Sequence, residues 1–118
     1  MANPNIINVS TITGKTSLTQ LTTVTTNTIT NAVGSNTVYK LNTVFLSNYS
    51  SATTYANIVI NRSSSTYYVG GNLSIPANST LVLLGKDTAL YMEEGDVLQA
   101  NVSANSSISM SASYESLG

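Results

Sequence analysis

Apolar and polar residues alternate in steps of two along most of this chain. The clearest case is Ile108-Ser109-Met110-Ser111-Ala112-Ser113-Tyr114, in which Ser fills every gap between apolar residues. That pattern predicts a strand with one buried and one wetted face. Leu98, Ala100 and Val102 alternate with Gln99 and Asn101 in the same way, and Ala56, Ile58 and Ile60 alternate with Asn57, Val59 and Asn61. Val38 to Leu46 populates both faces, as expected of a central strand or of one with a bulge between Leu41 and Val44. Shorter strands are expected at Thr66–Val69, Leu73–Ile75, Thr80–Leu84 and Ala89–Met92. No stretch follows a helical period, and β-branched residues outnumber strong helix formers.

Turn residues fall between these segments. Gly70-Gly71 predicts a tight hairpin between Tyr67-Tyr68-Val69 and Leu73-Ser74-Ile75. Pro76-Ala77-Asn78-Ser79 ends the next strand, because Pro cannot donate to a central ladder. Gly85-Lys86-Asp87 and Glu93-Glu94-Gly95-Asp96 read as further turns. Asn105-Ser106-Ser107 separates the last two strands, read as an antiparallel hairpin. About eight strands follow residue 37, at spacings typical of sandwiches and jelly rolls. Residues 1–36 differ, being Thr-rich with few large apolar groups. Ile6 to Ile12 reads as a strand, and Leu18 to Thr30 as one or two edge strands or an extended arm that could complete a neighbour's sheet. The expected fold is therefore all-β: a single antiparallel β-sandwich, jelly-roll or Ig-like, with or without an extended N-terminal arm. Residues 1–36 form the strand or arm region and 37–118 the sandwich core of one domain.

Composition narrows the chemistry. Ser, Thr and Asn fill 49 of 118 positions, only 8% of residues are charged, and the net charge is -1. Cys, His and Trp are absent. That removes disulfides, thiol nucleophiles, thiolate metal sites, the usual general base and the commonest transition-metal ligand. One Arg and three Lys cannot neutralise a run of phosphates, so no nucleic-acid partner is expected. The longest aliphatic run, Leu81-Val82-Leu83-Leu84, is far short of the roughly 20 residues of a membrane helix. The opening residues show no basic targeting region, so synthesis in a cytoplasm and no membrane partner are expected. A surface solvated by hydroxyls and amides has little charge repulsion to keep copies apart.

Few residues suggest a site. Glu93-Glu94-Gly95-Asp96 is the one acidic cluster, but it lacks a spaced calcium-loop pattern and reads as a solvated hairpin. Gly14-Lys15-Thr16 ends like a phosphate loop, yet Val9 stands where the required Gly would be. Seven N-x-S/T sequons begin at Asn8, Asn48, Asn61, Asn72, Asn78, Asn101 and Asn105, a number the Ser and Thr content makes unremarked. No catalytic, cofactor or metal residue is assigned, and no enzyme activity is expected. Tyr67 and Tyr68, adjacent on a strand, point to opposite faces, so one of them should be exposed as a contact residue or sugar platform.

Three stretches together carry a resemblance: Val38 to Asn48, Ile75 to Leu84, and Leu90 to Leu98, followed by Ser111-Ala112-Ser113-Tyr114-Glu115 and preceded by Met1 to Val9. This succession resembles small β-sandwich virion structural proteins of tailed bacteriophages, particularly those infecting cyanobacteria. The resemblance implies a non-enzymatic protein of the virion, made in the host cytoplasm. A capsid decoration or cement protein, bound outside the head shell where capsid subunits meet, is the leading expectation. A neck, tail or fibre-base component is the alternative, and a carbohydrate-binding adhesive module the third. The implied partners are the major capsid protein or another virion protein, together with further copies of the chain as a homo-oligomer or lattice. The expected interface residues are Ile6, Ile7, Val9 and Ile12 of the amino-terminal stretch, with Tyr67 and Tyr68.

Overall fold

A computed structural model describes residues 11–85, 90–104 and 108–118. Among the described residues nine strands run in chain order: β1 (Ile12–Gln20), β2 (Thr26–Thr30), β3 (Val38–Asn48), β4 (Thr54–Arg62), β5 (Ser65–Ile75), β6 (Ser79–Leu84), β7 (Leu90–Met92), β8 (Val97–Val102) and β9 (Ile108–Leu117). No helix occurs among the described residues. One sheet, called A, has the order β1-β9-β3-β6, with β7 also paired to β3; the other, B, has the order β2-β8-β4-β5. All pairings are antiparallel.

The order follows from a single long ribbon folded over on itself. The β4–β5 hairpin forms the tip, β3 pairs with β6 and β7, β2 with β8, and β1 with β9. Rolling that ribbon places alternate rungs in opposite sheets, which is the jelly-roll arrangement of two packed antiparallel layers. The expected β-sandwich is thus present, in its jelly-roll form. Leu41, Val44, Leu46, Ile108, Met110 and Ala112 from sheet A face Ile29, Ala56, Ile58, Leu98, Ala100 and Val102 from sheet B. Leu21, Ile75 and Met92 close the ends of this core.

Two buried asparagines fix the loops at the two ends. Asn31 donates from Nδ2 to the carbonyls of Thr37 and Met92, each at 3.0 Å, and its Oδ1 accepts from Ser35 Oγ at 2.7 Å. Asn48 donates to the carbonyls of Ala52 and Ile75 at 2.9 and 3.0 Å and accepts from Ser50. A buried amide is tolerated when all its groups are satisfied in this way. Burial of Asn48 also removes its sequon from any surface role.

Several expectations from sequence change. The bulge near Leu41 is present, as the β3–β9 register slips between Leu41 and Thr43. The Gly70-Gly71 hairpin is not. β5 runs straight through both glycines, and the register with β4 slips on either side of Ile58. Gly70 is buried at that bulge, where a Cβ would lie 2.7 Å from Leu73 Cδ1. The glycine serves close approach, not a turn. The true hairpin turn is Ser63-Ser64, both at positive φ (53° and 65°), between the paired residues Arg62 and Ser65. Fusion of the two expected segments into β5 leaves seven strands after residue 37 among the described residues.

The expected hairpin of the last two strands is also corrected. β8 lies in sheet B and β9 in sheet A, so the link between them crosses the sandwich. Near the amino terminus, a strand begins at Ile12 instead of ending there. β1 and β2 are edge strands of sheets A and B respectively. Residues 6–11 were expected within a strand; of these, 6–10 lie outside the described residues, as do Lys86, Asp87, Ala89 and the Asn105-Ser106-Ser107 link.

Candidate functional site

Two surfaces of the sandwich gather side chains suited to recognition. The first is the outer face of sheet B. Because Leu98, Ala100 and Val102 point into the core, Gln99 and Asn101 must point out, and the same alternation turns Tyr55, Asn57, Val59 and Asn61 of β4 outward. These groups are bonded to one another across strands. Gln99 Nε2 donates to Asn27 Oδ1 at 2.8 Å, Asn57 Nδ2 to Asn101 Oδ1 at 3.1 Å, and Asn101 Nδ2 to Thr25 Oγ1 at 2.9 Å. Asn57 Oδ1 accepts from the backbone N–H of Asn72 at 2.9 Å, tying the ladder to the β5 bulge. Tyr68 stands opposite Val59, which is buried on this face. No charged side chain belongs to this face among the described residues.

The second surface is a hollow of about 700 Å³ where the β5 edge of sheet B opens toward β6 and β7 of sheet A. Tyr67, Tyr68 and Val69 come from β5, Ile60 and Arg62 from β4, Leu84 from β6, and Leu90 and Tyr91 from β7. Its floor is apolar and its rim aromatic. Tyr67 and Tyr68 are 59% and 67% exposed, so both reach solvent where only one was expected to. The reason is that β5 is an edge strand: the inward-pointing Tyr67 meets the open mouth of the sandwich, not the opposite sheet.

The acidic turn is tied to this hollow through Arg62, and within it Asp96 is buried while Glu93 stays half exposed. Asp96 is fully buried and accepts two hydrogen bonds from Arg62, Nε to Oδ1 at 2.7 Å and Nη2 to Oδ2 at 2.6 Å. Its Oδ2 also accepts from the Glu93 N–H at 2.8 Å, and Glu93 Oε2 lies 3.3 Å from Arg62 Nη2. The hydrogen bonds that Arg62 donates to Asp96, together with the charges of Asp96 and Glu93, raise the Arg62 pKa above its ordinary value despite some desolvation. Glu94 clamps the β2–β3 loop by accepting from the N–H groups of Gly34 and Asn36 at 3.0 and 2.8 Å. The carboxylates are thus committed to the chain itself, with Gly95 at a φ of 88° allowing the tight turn. The turn with Gly95 at positive φ is as expected, and the departure from a solvated hairpin is the burial of Asp96. No group of three or more potential metal-ligating residues occurs among the described residues.

Of the residues singled out from sequence, Tyr67 and Tyr68 share the hollow, while Ile12 stands at the far edge on β1, opposite Leu117. Ile6, Ile7 and Val9 lie outside the described residues. The structure therefore does not bring Ile12 together with the two tyrosines. Sequence reading missed Arg62 and Tyr91, which reach the hollow only through pairings remote in the chain, and it missed the bonding among Asn27, Asn57, Gln99 and Asn101. The regular placing of amides at outward positions of β4 and β8 was the available signal for that ladder.

No family model and no curated protein matches the chain.

Proposed function

We propose that this chain is a non-enzymatic structural protein of a bacteriophage virion, a decoration protein that docks on the outside of the head shell and stabilises contacts between capsid subunits. The observation that carries the reading is the uncharged amide and tyrosine face of sheet B. Protein interfaces are depleted of charge and enriched in Tyr at their centres. Tyr and Asn together provide rigid contact area with adaptable hydrogen bonding. Side chains already bonded to one another lose less freedom on docking than free ones do. A protein that binds only the assembled shell stabilises it by mass action, and symmetry-repeated copies multiply a modest contact. The sequence resemblance supplies the virion as the setting.

Counting copies per purified particle by quantitative mass spectrometry tests this. A copy number on the scale of the capsid subunits supports a shell protein. A number matching the symmetry of a neck or tail contradicts it and places the chain there.

The hollow favours a second reading, a carbohydrate-binding adhesive module, since Tyr67, Tyr68 and Tyr91 offer aromatic faces around an accessible space. Glycan binding that is lost in both Tyr67→Ala and Tyr91→Ala supports it; absence of binding across a glycan array removes it.

A further inference from the structure

The four sheet edges differ in how they are guarded. β2 is five residues long and its register slips between Asn27 and Ile29. β5 carries two register shifts and β6 is short, with a shift near its end. β1 has none of these features. Its nine residues pair with β9 in unbroken register from Ile12–Leu117 to Gln20–Ser109, without Pro or bulge and with Lys15 as its one charge. Bulges, Pro, charge and short length are the usual means by which proteins prevent edge strands from pairing with other chains.

Hydrogen bonds at both ends of β1 define which of its groups face outward. The Gly118 N–H donates to the Thr11 carbonyl, and the Leu21 N–H donates to the Ile108 carbonyl. Both are directly opposite pairs in the same register, so the odd-numbered residues of β1 bond to β9. The backbone N–H and C=O groups of Ile12, Gly14, Thr16 and Leu18 therefore point away from the sheet, and no other described strand takes them up. Their side chains lie on the outer face of sheet A, where Leu18 is 76% and Ile12 60% exposed.

We infer that β1 pairs antiparallel with β1 of a second copy, about a two-fold axis through Thr16. An antiparallel ladder requires outward-facing residues to oppose one another, so even-numbered positions face even-numbered positions. The register centred on Thr16 overlaps the whole strand. It sets Leu18 opposite Gly14 of the other copy, where the space around Gly14 is open, and makes Ile12 a diagonal neighbour of Leu18. It also sets Lys15 opposite Ser17. The next register, centred on Lys15, would place two like charges face to face, which is unfavourable. A net charge of -1 adds little repulsion between the copies. The pairing makes sheet A continuous across two chains and leaves both sheet B faces on one side. It does not depend on the virion reading, although two docking faces on one side would bind a repeated lattice more tightly than one.

The chain has no cysteine, so single substitutions report the register directly. Light scattering should give twice the 12.4 kDa chain mass. Under mild oxidation Thr16→Cys should cross-link to itself, since opposed residues in such pairs have Cα atoms about 5.5 Å apart, within disulfide reach. Thr16→Pro removes one outward N–H and should yield a monomer with an unchanged far-ultraviolet spectrum and a melting temperature that no longer depends on protein concentration. A wild-type chain that remains at 12.4 kDa up to its solubility limit overturns the inference. So does a dimer that Thr16→Pro leaves intact, or one in which Lys15→Cys cross-links and Thr16→Cys does not.

Discussion

Arg62 of β4 grips the buried carboxylate of Asp96 with two hydrogen bonds, of 2.7 and 2.6 Å, across 34 positions of sequence. The pair fastens the tip hairpin to the turn that precedes β8. Removing Arg62 leaves the buried Asp96 carboxylate with the Glu93 N–H but without its cation. Arg62→Ala should therefore cost about 3 kcal/mol, the low end for such a pair because the Arg62 side chain is partly exposed. Asp96→Asn in that background should cost less than in the wild type. A double-mutant cycle in denaturant measures this coupling.

The Ser63-Ser64 turn offers a gain in stability. Both residues hold positive φ, which costs side chains with a Cβ and which Asn-Gly adopts readily in two-residue hairpins. Replacing the pair by Asn-Gly should stabilise the chain by about 1 kcal/mol and raise the melting temperature by roughly 3–6 °C. Differential scanning calorimetry checks it.

Alternation along β9 makes a paired prediction. Met110 is buried in the core and Ser111 lies on the outer face of sheet A. Met110→Asp should lose more than about 3 kcal/mol, because it buries a carboxylate among apolar neighbours. Ser111→Asp should stay within about 0.5 kcal/mol of the wild type, as surface changes do. Thermal melts that show similar losses for both would mean that the faces are wrongly assigned.

These cases also show which features can be read from sequence. The Ile108–Tyr114 alternation identifies strand and face because burial acts on each side chain locally. Partner strands are a different matter. Nothing in the alternation of Leu98–Val102 says that β8 pairs with β4 and not with β9, so a crossing link looks like a hairpin. Gly70-Gly71 reads as a turn in the sequence because glycine marks a bulge and a turn equally well. Ser63-Ser64 passed unnoticed because Ser carries no strong preference for positive φ. Arg62 and Asp96 were individually visible, but their meeting depends on the rolled ribbon. The exposed tyrosines were legible in part: adjacency predicts opposite faces, whereas exposure of both follows from β5 being at an edge.

The alkaline limit of stability has a defined sign at Tyr114. Burial, with a smaller contribution from Tyr39, raises its phenol pKa above the ordinary 10.0, and the two rings lie 5.0 Å apart. As pH rises past 10, the unfolded chain releases this proton before the folded chain does, so the unfolded state binds fewer protons there. The contribution is complete below that pH and declines above it. Tyr114→Phe should therefore flatten the loss of stability between about pH 9 and 11, measured as the shift in denaturant midpoint.

An electron-microscopic reconstruction of the intact particle would test the docking face itself. Density for the jelly roll should sit at junctions between capsid subunits, with Tyr55, Asn57 and Gln99 turned against the shell. A chain bound to the shell with that face open to solvent, or found only in the neck or tail, would contradict the proposal.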